Sequence, residues 1–214
     1  CVYHDPDCCE DATRKLLQMP EIPTCILFPD DFSFIGGHNS FLEAGFTIPM
    51  PGVGTKTISA VVVGMGKHGT SMVKALSWFC QMDGYRVRIN GFDRDELAED
   101  RFCAQCPELM DPRYNGVYVD GEAQYYIRIH SGIEVETKTF ADMIHNLRDA
   151  TYVLVSLGDD TLNIQTALRL RMLFEQCGAK PIIQAIVMSS DKRKALVGLT
   201  NYRGQAYNID FIGD

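Results

Sequence analysis

The most chemically informative stretch contains three glycines with GxGxxG spacing, Gly64, Gly66 and Gly69. They follow an apolar run at residues 58–63, which is typical of a buried strand. Between a strand and a helix, this spacing serves to bind nucleotide phosphates. The first glycine makes the tight turn, the second lets a pyrophosphate approach the backbone, and the third lets helix and strand pack closely. The phosphates would then lie on the free N–H groups at the start of the helix.

Met65, Lys67 and His68 occupy the positions between these glycines, and we include all three in the predicted phosphate-binding loop. A glycine-rich turn also occurs as a plain tight connection, so the spacing alone is weak evidence. The context favours a nucleotide site, because apolar residues recur at helical spacing directly after the loop. These residues are Met72, Val73, Leu76, Phe79 and Cys80.

Asp93 follows a second predicted strand at residues 85–92, and Arg94 comes next. In a nucleotide-binding unit of this kind, a carboxylate roughly 20 residues after the glycines accepts hydrogen bonds from the adenosine ribose. The alternative is a turn residue ahead of the next helix, which we predict from residue 95 to about residue 110. The position at a strand end favours the ribose role and NAD over NADP, although an arginine such as Arg94 can hold a 2'-phosphate.

The cysteines and histidines form no recognisable metal-binding or catalytic pattern. Cys103 and Cys106 have CxxC spacing, but a zinc site normally needs a second matched pair, and the adjacent Cys8 and Cys9 are a poor one. None of the five histidines has a visible acidic partner that would orient it as a general acid or base. We therefore predict neither a metal ion nor catalytic residues.

Charge and composition limit the classes of partner. The net charge of -8 and the pI near 5.1 argue against a nucleic-acid partner, because phosphate backbones are bound by clustered Lys and Arg. No apolar run approaches the roughly 18 residues that span a bilayer, and no secretion signal is visible. We expect a cytoplasmic protein. The chain begins at Cys1 and not at a methionine, which leaves further domains or membrane segments outside this sequence as an open alternative.

The predicted strands and helices alternate from residue 57 onwards. Such alternation predicts an α/β fold, a doubly wound parallel sheet of the Rossmann-like type, over residues 57–214. Residues 1–56 are predicted to be an irregular N-terminal appendage or the tail of a preceding unit, because Gly and Pro are frequent in their second half. The further predicted strands lie at 125–130, 152–157, 181–187 and 206–212, and the further helices near 140–147, at 161–176 and at 190–196.

The predicted helix at 161–176 carries apolar residues on more than one face. Asp160 is placed to cap it, directly after a turn at Gly158. This turn lies beside the predicted crevice, so we include Gly158 among the cofactor-binding residues. One apolar face must cover the sheet, and the other needs a partner. The sequence therefore predicts a homodimer or a larger assembly built partly on this helix.

The segment from Asp149 to Asn163, DATYVLVSLGDDTLN, resembles the "DA-strand-DD-x-x-N" segment of the RCK domain, also called the TrkA N-terminal domain. Together with the glycine loop and Asp93, the resemblance covers about residues 57–196. It implies a Rossmann-type domain that binds NAD, NADH or another adenine nucleotide as a regulatory ligand and that pairs with a second copy. By position, the resemblance implies that the turn at Ser131 and Gly132 contacts the adenine edge.

Three functions remain open at this point. The first is a nucleotide-sensing regulatory domain that passes a conformational signal to a partner; the resemblance implies potassium transport and a membrane-protein partner. The second is an NAD-dependent oxidoreductase, which would need a general acid or base and a place for substrate. The third is an interaction module with an unoccupied loop, which the intact glycines disfavour.

Overall fold

The computed structural model describes residues 56–80, 85–119, 122–123, 125–196, 201–202, 205–206 and 208–213. The predicted N-terminal appendage, apart from its last residue, lies outside the described residues, as do Cys8 and Cys9. Within the part of the chain that the structure describes, no helix has the length and apolar character needed to cross a membrane.

Strands and helices alternate along the described chain. The strands are β1 Lys56–Val63, β2 Tyr85–Phe92, β3 Tyr118–Val119, β4 Glu122–Ala123, β5 Tyr125–His130, β6 Tyr152–Val155, β7 Ile182–Ile186, β8 Asn201–Tyr202, β9 Gln205–Ala206 and β10 Ile209–Ile212. The helices are α1 Lys67–Phe79, α2 Ala98–Gln105, α3 Lys138–His145, α4 Asp160–Gln176 and α5 Ser190–Leu196.

Six strands form one parallel sheet in the order β10-β7-β6-β1-β2-β5. The chain runs outward from β1 through β2 to β5, then returns to β6 on the other side of β1 and continues outward. This order confirms the predicted Rossmann-like, doubly wound sheet. Its reversal point lies between β1 and β6, where the carboxyl ends of the strands open a crevice in folds of this type.

The sheet is covered on both faces. Ala60 and Val62 of β1 belong to the buried cluster that includes α1 and α2, while Val61 and Val63 belong to the cluster that includes α3 and α4. Because successive side chains of a strand point to opposite faces, a central strand buried on both sides needs the continuous apolar run seen in the sequence. Each fully buried valine of this kind stabilises the fold by about 1.5–3 kcal/mol.

The predicted start and end of one helix were wrong. The helix predicted from 95 to about 110 is α2, which begins only at Ala98, because the Asp95 carboxylate accepts the Leu97 N–H in a local turn. It ends at Gln105, because the residue before Pro107, Cys106, is driven out of helical geometry.

The cap of α4 also differs from the prediction. Asp159, not Asp160, is the N-cap: its Oδ1 accepts the Leu162 N–H at 2.8 Å, and Asp160 is the first helical residue. The sixth strand of the sheet begins at Ile209, not at residue 206, since Asn208 has a positive φ of 51° and interrupts the extended chain.

Helix α1 packs unusually close to the turn after β1. A Cβ on Gly69 would come within 1.8 Å of the Gly64 carbonyl oxygen and 3.2 Å of Val62 Cγ1. Only glycine allows this approach, as the sequence predicted for the third glycine of the loop. At Gly66, by contrast, an added Cβ would meet no atom within 4 Å.

We predict that Gly69→Ala destabilises the protein, because α1 would have to move away from β1. Overpacking of this kind costs about 1–3 kcal/mol, which outweighs the roughly 1 kcal/mol that alanine gains in helix propensity. Urea unfolding followed by circular dichroism measures the change. Gly66→Ala is the matched control and should lose less than about 1 kcal/mol, the cost of a poorer N-cap. Equal losses in the two variants would contradict the prediction.

Candidate functional site

A cleft of about 800 Å³ lies at the carboxyl edge of the sheet, beside the reversal point between β1 and β6. Segments that follow β1, β2, β5, β6 and β7 all contribute to its walls. The described lining residues are Gly64, Gly66, Lys67, His68, Phe92, Asp93, Arg94, Ile133, Glu134, Val135, Glu136, Ser156, Leu157, Gly158, Asp159, Asp160, Leu162, Asn163, Ile186 and Met188. Most of the predicted site residues are thus brought together.

The glycine loop forms the floor of the cleft at the end of β1. Gly64 has φ +93°, and a Cβ there would come within 2.4 Å of the Ser156 carbonyl oxygen. The Ser156 hydroxyl donates to the Gly64 carbonyl at 3.0 Å, which joins the ends of β1 and β6. Gly66 is exposed with free space around it. The backbone of the loop is therefore open to a ligand at the second glycine, where the sequence predicted phosphate.

The N-terminus of α1 faces this cleft without a side-chain cap. Its N-cap is Gly66, and its first turn contains no acidic residue. Helices α3 and α4 are capped by their own chain, through Thr137 and Asp159. An uncapped helix start carries unsatisfied N–H groups and a partial positive charge, which together attract an anion.

Three basic side chains stand around the uncapped helix start. Lys67 and His68 lie in the first turn of α1, Arg94 follows β2, and all three are exposed. Among the residues that the structure describes, none of the three makes a side-chain hydrogen bond or an ion pair. Cations in the first turn of a helix are unfavourable with respect to the helix dipole unless an anion is bound nearby. Their position therefore supports an anionic ligand.

Asp93 lies at the end of β2, as predicted, and its carboxylate also holds the glycine loop. Its Oδ2 accepts the Met65 N–H at 2.6 Å, and its Oδ1 accepts the Asp95 N–H at 2.9 Å. Each oxygen of an ionised carboxylate has a second lone pair, so two further hydrogen bonds can be accepted from a ligand. The structural role was not predicted, because the contact to Met65 spans 28 positions of the chain.

Ser131 and Gly132 lie outside the set of residues that lines the cleft, as do Met65 and Gly69 of the glycine loop. The Ser131 hydroxyl accepts the Glu99 N–H at 2.9 Å, and the Gly132 N–H donates to the Asp95 carbonyl at 3.2 Å. Both residues therefore fasten the turn after β5 to the start of α2. The wall of the cleft after β5 is formed by the next four residues, 133–136.

Arg169 of α4 is hydrogen-bonded to the backbone of the wall formed by residues 133–136. Its Nη1 donates to the Val135 carbonyl at 2.6 Å, and its Nη2 lies 3.5 Å from the Thr137 carbonyl. The Val135 side chain is buried in the core. Sequence reasoning missed this contact, since nothing in the local pattern of α4 distinguishes an arginine that reaches a distant loop from an exposed one.

The acidic pair after Gly158 joins the ends of β6 and β7. Asp159 caps α4, while Asp160 accepts the N–H groups of Met188 and Ser189 at 2.8 and 2.9 Å. These two backbone hydrogen bonds hold the pKa of the Asp160 carboxyl below its usual value, with a smaller contribution from nearby cations. Asp160 is therefore ionised at neutral pH and ties α4 to the segment after β7.

Asn163 completes this arrangement from the second turn of α4, where it is buried. Its Oδ1 accepts the Leu157 N–H and its Nδ2 donates to the Ile186 carbonyl, both at 2.7 Å. One side chain thereby satisfies backbone groups at the ends of two neighbouring strands. We call Asp159, Asp160 and Asn163 the carboxyl-edge clamp. The DD-x-x-N spacing was the sequence signal for it.

His130, at the end of β5, packs against the lining residue Phe92 but does not itself line the cleft. Its ring stacks on Phe92 with a centroid separation of 4.7 Å, and its Nε2 lies 3.1 Å from Asn90 Oδ1. Burial, with a smaller contribution from Arg128, lowers the pKa of His130 to about 4. The imidazole is therefore neutral at neutral pH, and an Nε2–H donates to the asparagine oxygen.

No group of three or more potential metal ligands occurs among the described residues. Cys106 is buried in the core with α2, and Cys103 lies three positions before it. Burial, then Glu99 and Asp100, raise the pKa of the Cys103 thiol, which disfavours the thiolate that a metal would need. Cys106 is thus a packing residue of the core, while Cys103 is partly exposed.

Comparison with known proteins assigns no family to this chain. No protein-family model matches the sequence, and no curated protein matches it. One solved structure with a similar fold is that of a Rex-family repressor, with a TM-score of 0.35 and 14% sequence identity. The matched region covers 85% of this chain and 61% of that chain. At this TM-score the match carries no argument about this chain.

We predict that the free energy of unfolding falls as the pH drops from about 6.5 towards 4. In this pH range the side chain of His130 is protonated in the unfolded chain but stays neutral in the folded protein. Protonation therefore favours the unfolded state, and the stability present above the unfolded pKa is lost on acidification. Because the ring is partly exposed, we expect a loss on the order of 1 kcal/mol between pH 7 and pH 5. Urea unfolding at both pH values measures it.

His130→Gln should show a smaller loss over the same pH interval than the wild type. His145→Gln is the matched control, because His145 contacts Gln176 on the outside of α3 and α4. This control should retain the wild-type loss. Identical pH dependence in the wild type and His130→Gln would show that His130 does not cause the effect.

Proposed function

We propose that the described domain binds NAD, or another adenine nucleotide, in the cleft and serves as a regulatory nucleotide sensor. The observation that carries this proposal is the uncapped N-terminus of α1, presented by Gly66 to a cleft at the reversal point of a doubly wound sheet. Lys67 and Arg94 supply cations around it, and the imidazole of His68 lies beside them. In such sheets, dinucleotides bind across this crevice with the pyrophosphate on the helix start.

The lining residues suggest how the nucleotide would lie. The pyrophosphate would occupy the space beside Gly66, and the adenosine ribose would donate to the free lone pairs of Asp93. The adenine would lie against residues 133–136, because Ser131 and Gly132 are engaged with α2. The second half of a dinucleotide would extend past Gly158 towards the end of β7.

Asp93 supports a preference for NAD over NADP. The Asp93 carboxylate is held in place by the N–H groups of Met65 and Asp95, and it would repel a 2'-phosphate on the neighbouring ribose. Arg94 is the neighbouring cation that would have to compensate for this repulsion. It is exposed, where a single ion pair contributes little, about 0–1 kcal/mol.

A sensing role is supported by the resemblance of residues 149–163 to the RCK, or TrkA N-terminal, domain. On this proposal the domain is cytoplasmic, and it passes a conformational signal to a partner such as a membrane protein of potassium transport. A ligand regulates only by binding one conformation better than another. Helix α4 is the element suited to carry that difference, since its first turns line the cleft and Arg169 holds the opposite wall.

An NAD-dependent oxidoreductase is the alternative function. His68 is the imidazole among the described cleft residues, and it lies exposed at the start of α1. A dehydrogenase would have to use such a group for proton transfer next to a substrate. The sensing proposal instead requires that the nucleotide is recovered unaltered after binding.

We predict that Gly66→Val abolishes nucleotide binding while the domain stays folded. Valine adopts the extended backbone of this position, φ -70° and ψ -164°, without strain, and the space around it is free. Its side chain would fill the position of the pyrophosphate. Calorimetric titration with NAD should show more than a tenfold loss of affinity, about 1.4 kcal/mol or more.

Circular dichroism and urea unfolding check the folding of Gly66→Val, and Gly66→Ala tests whether the size of the side chain matters. Chromatography of the wild-type incubation should return NAD unchanged. Equal titrations for wild type and Gly66→Val would refute the site. Steady conversion of NADH with a small carbonyl compound, lost on His68→Gln, would favour the oxidoreductase.

We predict a homodimer built partly on the outer face of α4. Leu168 and Met172 are four residues apart on this face and are 40% and 58% exposed. Light scattering at tens of micromolar should report a dimer for the wild type, and Met172→Glu should shift it towards the monomer. Gln105→Glu, which adds the same charge at the exposed end of α2 on the opposite face of the sheet, is the control. A monomeric wild type would contradict the prediction.

A further inference from the structure

The walls of the cleft carry an excess of negative charge that bears on the choice of nucleotide. Against the cations Lys67 and Arg94, the described lining includes five carboxylates. Charges gathered in a cleft act together on a ligand, because the low-dielectric walls focus their field. The carboxylates are those of Asp93, Glu134, Glu136, Asp159 and Asp160.

The charges are divided between the two ends of the cleft. The free cations stand around the start of α1, where two phosphates of a nucleotide would lie. Beyond the loop, at the ends of β6 and β7, the charged groups of the lining are the carboxylates of Asp159 and Asp160. The latter is held ionised by the N–H groups of Met188 and Ser189.

The cations nearest to this far end are already engaged. Lys192 Nζ lies 3.0 Å from the Thr161 hydroxyl, and the Arg193 guanidinium donates to the carbonyls of Val187 and Met188. Neither cation belongs to the described lining of the cleft. A third phosphate extending in this direction would meet the carboxylates of the lining, whereas Lys192 and Arg193 act on Asp160 from outside the lining.

The start of α4 does not change this balance. It brings the partial positive charge of a helix N-terminus to the far end, but Asp159 caps it and Asp160 lies in its first turn. The full charges of two carboxylates outweigh a helix-end charge of about half a unit. The lining at the far end of the cleft therefore keeps a net negative charge.

The same end of the cleft offers apolar surface. Four apolar residues from the ends of β6 and β7 and the first turn of α4 contribute to it, and Met188 is about half exposed. An aromatic ring stacked on such surface gains from apolar burial, and a positive charge on that ring gains from nearby carboxylates. The four residues are Leu157, Leu162, Ile186 and Met188.

On the basis of the proposed function, we infer that the cleft selects oxidised NAD+ among the adenine nucleotides. The nicotinamide ring of NAD+ is flat and cationic, so it matches the apolar, acidic far end. NADH has the same shape but lacks the ring charge. ADP and NADP+ carry more net negative charge, and ATP the most, so the acidic walls disfavour them increasingly.

Calorimetric titration of the wild-type protein with NAD+, NADH, NADP+, ADP and ATP, without divalent cations, tests the inference. At about 0.05 M salt, NAD+ should bind tightest and ATP at least about tenfold more weakly. The ratio of the two affinities should shrink as the salt concentration rises, because salt screens the carboxylates.

Charge-removing variants test whether the cleft itself causes the preference. Glu134→Gln with Glu136→Gln removes two charges of the wall, and among the described residues neither carboxylate makes an ion pair or a side-chain hydrogen bond. In this double variant the ratio of the NAD+ affinity to the ATP affinity should fall by about threefold or more. Glu175→Gln is the control, because Glu175 lies roughly 20 Å from the cleft along α4, beyond the screening length of about 8 Å.

The outcomes separate this inference from the proposed function. ATP, ADP or NADH binding more tightly than NAD+ would overturn the inference and leave an adenine-nucleotide sensor in place. An equal fall of this affinity ratio in Glu175→Gln would also overturn the inference, since the effect would not arise in the cleft. Failure of all five nucleotides to bind would overturn both.

Discussion

The close approach of three backbones around Gly64 is the constraint on which the rest of the structure depends. A Cβ on Gly64, in the turn after β1, would clash with the backbone of Ser156 at the end of β6. A Cβ on Gly69, in α1, would clash with the carbonyl of Gly64 in the same turn. The Gly64 N–H donates to the Phe92 carbonyl at 2.8 Å, so β2 is joined at this point too. This packing aims the uncapped start of α1 into the crevice, where its free N–H groups are useful to a ligand.

The residues that line the cleft are also the residues that hold the carboxyl edge together. Asp93 binds the glycine loop, and the carboxyl-edge clamp binds the ends of β6 and β7. A ligand that reorients any of these side chains therefore changes backbone hydrogen bonds as well. In a regulatory domain such an arrangement couples binding to structure, with coupling free energies commonly of about 1–3 kcal/mol.

In such a regulatory domain, helix α4 would extend the coupling away from the cleft. Its first turns contain the clamp, Arg169 in its middle holds the wall at Val135, and Met172 is exposed further along. A rigid helix that contacts the ligand site at one end and solvent at the other is suited to transmit a change in occupancy to a second chain. The exposed apolar residues on its outer face are consistent with that use.

The order of strands and helices, the glycine loop and the position of Asp93 were predictable from the sequence alone. Each depends on local information: apolar periodicity, glycine spacing and the residue at a strand end. Asp159 in place of Asp160 as the cap of α4 is a small local error, because two adjacent aspartates satisfy the capping rule equally well.

Which side chains meet was visible only in the tertiary structure. The turn at Ser131 and Gly132 faces α2, not the cleft, and Arg169 reaches a loop more than 30 positions away. Contacts of this kind depend on strand order, and they leave no periodic trace in the residues that make them. The fold and the glycine loop thus follow from local sequence patterns, while the packing of the sheet sets the walls of the cleft.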